Sequence, residues 1–493
     1  MSIGQGVRAM RNGRHDVDMT TGSTVRHLLA FAFPLLLGNI FQQLYNMVDT
    51  WVVGNYVSNE AFSAVGSVGP IINTLIGFFM GLASGAGAVI SQYYGAKQSD
   101  KVKDTVHTSL IMTFVMGILF TVIGILMTPF MLQVMNTPDD VFPQSKAYLT
   151  IYFAGILGLM VYNMGSGILR AVGDSRTPFY FLVISAIINT VLDLFFVLVL
   201  NMGVEGVALA TVIAQTVSAV LVIITLMRTN SDIQIDWKHF GFDTGLFRKI
   251  VRVGFPAALQ MAITSFSNVF VQSYINAFGA DGMSGWTAYS KIDQLILLPM
   301  QSIALGSTTF VAQNLGDGQV KRAKSGVKTA VWISVIATLI LMLPVIIFAP
   351  TFVAFFNGKA EVVSIGALLL RCISPFYLLC CLNQIYAGAL RGAGNSRVPT
   401  IMLLSSFVVI RQIYLFVAST WIVPAVRAVV DLTSEMEMLI VAAGYPLGWI
   451  CATTMLLIYF YNTDLTKTRL VDTQRATAQT QEEDPEKSVS EES

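Results

Sequence analysis

The sequence is short of charge, cysteine and histidine. Asp, Glu, Lys and Arg make up 12% of its 493 residues, where a soluble domain carries about 25%. A hydrophobic share of 54% and a mean hydropathy of +0.66 exceed what an ordinary globular core can hide. Basic and acidic residues number 30 and 29, so the net charge is +1. That balance lacks the basic field a nucleic-acid partner requires. Cys372, Cys380, Cys381 and Cys451 lie in apolar runs with no CxxC spacing. They read as packing thiols rather than disulfides or zinc ligands. The four His sit at the termini or loop edges, which removes most metal and acid–base chemistry. GxxxxGK[ST], HExxH and GxSxG are all missing, so no ATPase, zincin or hydrolase signature marks an enzyme and no cofactor is implied.

Long apolar runs are what the chain has instead. A membrane span needs about 20 apolar residues, and twelve such runs follow one another: 28–53, 61–94, 106–130, 147–168, 178–200, 204–227, 250–278, 285–314, 326–349, 362–388, 399–422 and 438–461. All are expected to be helices, because open strands leave backbone groups unsatisfied in lipid. The fold class expected is therefore an all-α integral membrane protein embedded in a lipid bilayer. Of the 30 Lys and Arg, 24 fall at the termini or in loops on one side. Lys146, Lys359 and Arg427 fall on the other side, and Lys291, Arg371 and Arg411 lie inside spans. The positive-inside rule then makes both termini cytoplasmic. Trp51, Trp286 and Trp421 are expected as interface anchors at the outer ends. The polar, acid-ended tail 463–493 is expected to be disordered.

The chain repeats itself. Leu169-Arg-Ala-Val-Gly-Asp-Ser-Arg-Thr-Pro178 returns as Leu390-Arg-Gly-Ala-Gly-Asn-Ser-Arg-Val-Pro399, six of ten positions identical at an offset of 221. Gln92, Gly95, Gln98 and Lys103 return as Gln313, Gly316, Gln319 and Lys324 at the same offset. The implied organisation is a cytoplasmic N-terminus (1–26), a six-helix lobe (27–228), a basic linker (229–249), a second six-helix lobe (250–462) and the tail. An even number of spans per half makes the two bundles parallel. They are then related by a pseudo-two-fold axis along the membrane normal and enclose a central cleft, as in carriers that rock to alternate access.

Leu44-Tyr-Asn-Met-Val-Asp49-Thr, Gly95 with the charged segment after span 2, and the twice-occurring Leu-Arg-x-x-Gly-x-Ser-Arg-x-Pro resemble the multidrug and toxic compound extrusion (MATE) family over nearly all of 27–462. The resemblance implies a bacterial inner-membrane antiporter, working as a monomer. It would export organic, often cationic and amphipathic, small molecules in exchange for H⁺ or Na⁺. A lipid-linked precursor flippase of the same superfamily and a non-transporting receptor or scaffold are the alternatives.

Three acids lie inside spans, at Asp49, Asp193 and Asp293. Each costs about 2.5–3.5 kcal/mol at a helix centre. Asp193 and Thr211 sit at the same depth, roughly 10 Å below the outer surface. Asn189 and Asp193 are i and i+4 and share a helix face. Asp49, Asn189, Asp193 and Thr211 are thus expected to converge as an oxygen-rich nest in the first lobe. Such a nest suits Na⁺, or one proton shared by two acids that cannot both ionise at close range. At the repeat offset these polar residues are missing, and Arg411 stands where Thr190 does. This asymmetry resembles the DinF-like branch of the family, which implies that Asn163 belongs to the same coupling site. Gln42, Tyr45, Tyr148 and Tyr152 are candidates for a substrate path in the first lobe. Lys291 and Asp293 are expected to pair with other helices or to line the cleft. Gly77, Gly81 and Gly85, spaced by four, form a small face for close helix contact. Pro34 is expected to bend span 1 and so move Asp49.

Overall fold

The computed structural model describes residues 16–471 apart from Asn136 and Leu432. Its apolar segments fold into twelve membrane-length helical spans, counting one bent pair as a single span. They are α1 (Thr24–Tyr56), α2 (Asn59–Gly95), α3 (Ser99–Val134), α4 (Phe142–Ala154 and Ile156–Ala171), α5 (Arg176–Val199) and α6 (Val204–Arg228) in the first half. The second half has α7 (Thr244–Asn276), α8 (Gly279–Gly316), α9 (Val320–Ile347), α10 (Ala360–Gly392), α11 (Arg397–Arg427) and α12 (Ser434–Asn462). No strand occurs among the described residues.

Several helices run past their apolar cores. The charged segment 97–103 is mostly not a loop, because α3 already starts at Ser99. Gly155 breaks α4 with a 48° bend and lies against α6, where a Cβ would come within 2.2 Å of Val212. A π-helical turn, Phe195–Val199, interrupts α5 immediately after Asp193. Asp243 starts α7, its Oδ1 accepting from Gly245 N (2.7 Å) and Leu246 N (3.1 Å). Those N–H donors hold its carboxyl below the usual carboxylate range. Trp51 and Trp421 are exposed, as anchors are, but Trp286 is not. It is 6% exposed and packs on Tyr289 and Tyr445 inside the second lobe.

The halves meet where their side chains are smallest. α2 packs along α7, with Gly81 against Ala258 and Gly85 against Gly254. α1 packs on α8, where Gly306 faces Phe31. α2 and α8 cross each other at their last residues. A Cβ on Gly95 would sit 2.0 Å from the Gln313 carbonyl oxygen, and one on Gly316 2.0 Å from that of Gln92. Only glycine fits at such an approach.

Around this crossing the repeat acts as a pair of clamps. Gln92 Nε2 donates to Gly392 O (2.8 Å), and Gln313 Nε2 donates to Ala171 O (2.9 Å). Each glutamine thus grips the twin motif of the opposite half. Its oxygen takes a terminal segment: Gln313 Oε1 accepts from Met19 N (2.9 Å), and Gln92 Oε1 from Leu470 N (2.7 Å). The motif glycines Gly173 and Gly394 have φ of +86° and +94° and lie under Val17 and Thr468. The terminal segments are therefore packed parts of the fold. Met19 and Leu465 are 0% exposed and Leu470 is 4% exposed. Lys249 Nζ donates to Leu470 O (2.7 Å), and Arg322 Nη2 donates to Gly22 O (2.9 Å). The disorder expected from residue 463 does not hold over 463–471, because hydrogen bonds to buried glutamines order a segment whose composition is polar. The rest of that expectation, from 472 on, lies outside the described residues.

The close approach generates a prediction. Gly316→Ala, or Gly95→Ala, should push α2 and α8 apart at a cost of about 1–3 kcal/mol. Thiol labelling of a Ser91→Cys reporter from the face bearing the termini should rise in either variant. Unchanged labelling would show that the crossing does not seal that face.

Candidate functional site

Two polar regions lie inside the bundle. The first is in the N-terminal lobe, on α1, α4, α5 and α6. Asp49 and Asp193 approach within hydrogen-bonding reach of each other. Asp193 is 0% exposed and Asn189 2%. Asn189 Nδ2 donates to Thr211 Oγ1 at 3.5 Å, and Thr211 Oγ1 donates to Val207 O at 3.1 Å. Asp49 Oδ1, both Asp193 oxygens and Asn189 Oδ1 are buried without a donor among the described residues. Tyr148 lies beside both acids and Thr211, and stacks with Tyr152 at 6.5 Å between ring centroids. Tyr45 lies beside Asp49, Gln42 and Gln215. Four buried acceptor oxygens in search of a positive partner is a costly arrangement unless a proton or cation visits it.

Asn163 does not join the acids by any hydrogen bond among the described residues. It donates to Leu159 O of its own helix (2.9 Å) and lines a small cavity of about 80 Å³ with Gln42, Tyr162, Gln215 and Arg170. Gln215 is a site residue that sequence reasoning misses. It lies four residues after Thr211 on the same face of α6, and that spacing is the signal that marks it.

The matching region of the C-terminal lobe is built differently. Arg411, 4% exposed, donates through Nη2 to Ser267 Oγ and Asn268 Oδ1, both at 3.0 Å, and lies 4.8 Å over the Tyr445 ring. Asp293 sits near Tyr289, Tyr377 and Tyr445 in the same lobe. Lys291 is exposed on the opposite face of α8 and borders a surface pocket with Thr287 and Phe356. No ion pair joins Lys291 or Asp293 to any described residue.

The second region is a central cavity of about 360 Å³ between the halves, walled by α2, α4, α7, α8 and α10. Its floor reaches Ser91, Ala171 and Thr308, just inside the glutamine clamps. Neither Lys291 nor Asp293 lines it, because α8 turns other residues (Gln301, Leu305, Thr309) toward it. Tyr45, Tyr148 and Tyr152 do not line it either, being packed around the acids of the first lobe. Gln42 borders the smaller cavity, which shares Met80 and Arg170 with the central one. By sequence Arg170 and Arg391 count among the loop cations, yet both line the central cavity. Their identical placement in the twin motif is the available signal.

With this geometry in view, comparison with known proteins settles the class. The MatE family model matches twice, over residues 34–195 and 256–417, once per half. The chain is 30% identical over 448 residues to "Probable multidrug resistance protein YoeA" of Bacillus subtilis, covering 89% of this chain and 93% of that protein. It is 27% identical over 411 residues to "Probable multidrug resistance protein YpnP" of the same organism, covering 82% and 91%. Among solved structures, the outward-facing conformation of a multidrug resistance MATE family transporter superposes with a TM-score of 0.83. The sequence identity there is 21%, with 91% of this chain and 97% of that one covered. The chain is a polytopic membrane transporter and belongs to the MATE family.

The orphaned oxygens give a test of their own. If they serve a visiting cation, Asp193→Asn should leave the melting temperature unchanged or raise stability by about 1–3 kcal/mol, because it removes an uncompensated buried acid. A comparable loss of stability in thermal unfolding would identify the pair as structural glue.

Proposed function

We propose that the protein is a cation-coupled antiporter in which H⁺ or Na⁺ enters the Asp49–Asp193 nest and drives export of an organic compound from the central cavity. The observation that carries this reading is the set of four buried acceptor oxygens, on Asp49, Asp193 and Asn189, with no donor among the described residues. A hard cation or a shared proton answers both their charge and their unfilled lone pairs. Thr211 completes the oxygen set through its contact with Asn189. Tyr148 lies beside the pair, and Gln42, Asn163 and Gln215 border the small cavity that shares Met80 and Arg170 with the central one.

The excess of Lys and Arg on the face that bears both termini supports a cytoplasmic placement of that face, and the bacterial relatives support an inner membrane. In the conformation described, the clamps close that face, so substrate leaves toward the other side. Rocking of the halves about the α2–α8 crossing would then reopen the cavity inward. Pro34 lies within α1, fifteen residues before Asp49, and removes one backbone hydrogen bond there. It is a place where α1 can bend as the acids load.

Asp49→Asn should abolish dye efflux from everted vesicles under an imposed pH or Na⁺ gradient. The gradient that drives the wild type identifies the coupling ion. Wild-type efflux in a well-expressed Asp49→Asn protein would remove the nest from the mechanism.

A further inference from the structure

Among the described residues, the lining of the central cavity carries two positive charges and no negative one. Arg170 and Arg391 both line it, from equivalent positions of the repeat, and no Asp or Glu contributes to its wall. A guanidinium remains protonated in any protein setting. Neither arginine makes an ion pair with a described residue. Arg391 Nη1 reaches Gln260 Oε1 only at 3.4 Å, and its buried Nε has no partner. Thr264 Oγ1, also on the wall, is buried and unpartnered.

Two ordinary explanations fall short. Arginine in the last turn of a helix complements the helix dipole, and both residues are so placed. That contact does not require the head groups to face a shared cavity. Arginine near a span end also snorkels to interfacial water. Here the way out is blocked. Gln313 and Gln92, both 0% exposed, bond the carbonyls of Ala171 and Gly392, the residues next to each arginine. The charged heads are held on the cavity side of the plug.

We infer that the central cavity binds an anionic organic compound, its carboxylate or phosphate group held between Arg170 and Arg391. Guanidinium forks match both groups in geometry and charge. Gln260 and Gln301, together with the unpartnered Thr264 hydroxyl, supply further donors around them. Met80, Met261 and Leu305 offer adaptable apolar surface to the rest of the molecule. At about 360 Å³ the cavity suits a small organic molecule. A cationic substrate, which the family resemblance alone suggests, would meet two guanidiniums and no counter-charge. The inference rests on the reading of this cavity as the transport cavity, and it narrows that reading to one substrate class.

The test uses the full chain in nanodiscs, with carboxyfluorescein as the anionic probe and ethidium as the cationic one, read by fluorescence polarisation. Carboxyfluorescein should bind at least about tenfold tighter than ethidium, and its affinity should fall about tenfold in Arg391→Gln or Arg170→Gln. Arg391→Lys should keep most of the binding. Should the neutral variants fail to fold, Gln301→Glu places an acid on the same wall with both arginines intact and should weaken carboxyfluorescein by a similar factor. Equal binding of the two dyes, binding of neither, or carboxyfluorescein binding that ignores Arg391→Gln, Arg170→Gln and Gln301→Glu alike would overturn the inference. Vesicle efflux separates the two claims. Export of ethidium but not carboxyfluorescein keeps the antiporter and removes the anion site. Arginine-dependent binding without movement of either dye keeps the site and removes the antiporter.

Discussion

Everything on the terminal face depends on how closely α2 and α8 approach. With a side chain at Gly95 or Gly316 the crossing could not form, since a Cβ at either position would fall 2.0 Å from a backbone oxygen of the other helix. Because it forms, Gln92 and Gln313 are carried across the midline to the opposite half, where each holds one carbonyl of the twin motif and one terminal segment. The repeated Leu-Arg-x-x-Gly-x-Ser-Arg-x-Pro is then intelligible residue by residue. It supplies the arginine of the cavity, the acceptor at Ala171 or Gly392, and the positive-φ glycine that lets a terminal segment lie close. One seal thereby uses four contributions that are far apart in the chain.

The symmetry of that seal contrasts with the asymmetry of the lobes. Both halves contribute an arginine to the cavity, yet only the first half buries a pair of acids. The second half carries Arg411 in the matching region, with Ser267, Asn268 and the Tyr445 ring around it. Two intramembrane acids cost about 5–7 kcal/mol on insertion scales. Their mutual approach adds repulsion rather than relief, a cost that the proposed visit of a proton or Na⁺ would offset. The two halves share the cleft but differ inside their lobes, the first burying an acid pair and the second a single acid, Asp293, and the cation Arg411.

Much of this was legible in the sequence. Long apolar runs give the number and rough bounds of the spans, since length and composition decide insertion. The offset of 221 gives the two halves. The shared helix face of Asn189 and Asp193 and the matched depth of Thr211 are enough to bring those residues together. Other features depend on tertiary contacts that composition does not encode. The tail over 463–471 reads as solvated because it is polar, but its order comes from Gln92 and Lys249, hundreds of residues away. Arg170 and Arg391 read as loop cations because they end their helices, and only the plug beneath them turns their heads inward. The bend at Gly155 and the π-helical turn after Asp193 leave no periodic trace, being single-residue adjustments to packing.

Electron–electron distance measurement across the terminal face tests the link between the seal and the acid nest most directly. Spin labels at Gln98 and Gln319, the residues that follow the two crossing helices, would be read in a protein whose four native cysteines are replaced. Linkage predicts a short distance matching the closed clamps and a second, longer one. The ratio of the two should shift with pH or Na⁺, and that shift should vanish in Asp49→Asn. A single distance, unchanged by either ion and unaffected by the substitution, would contradict it.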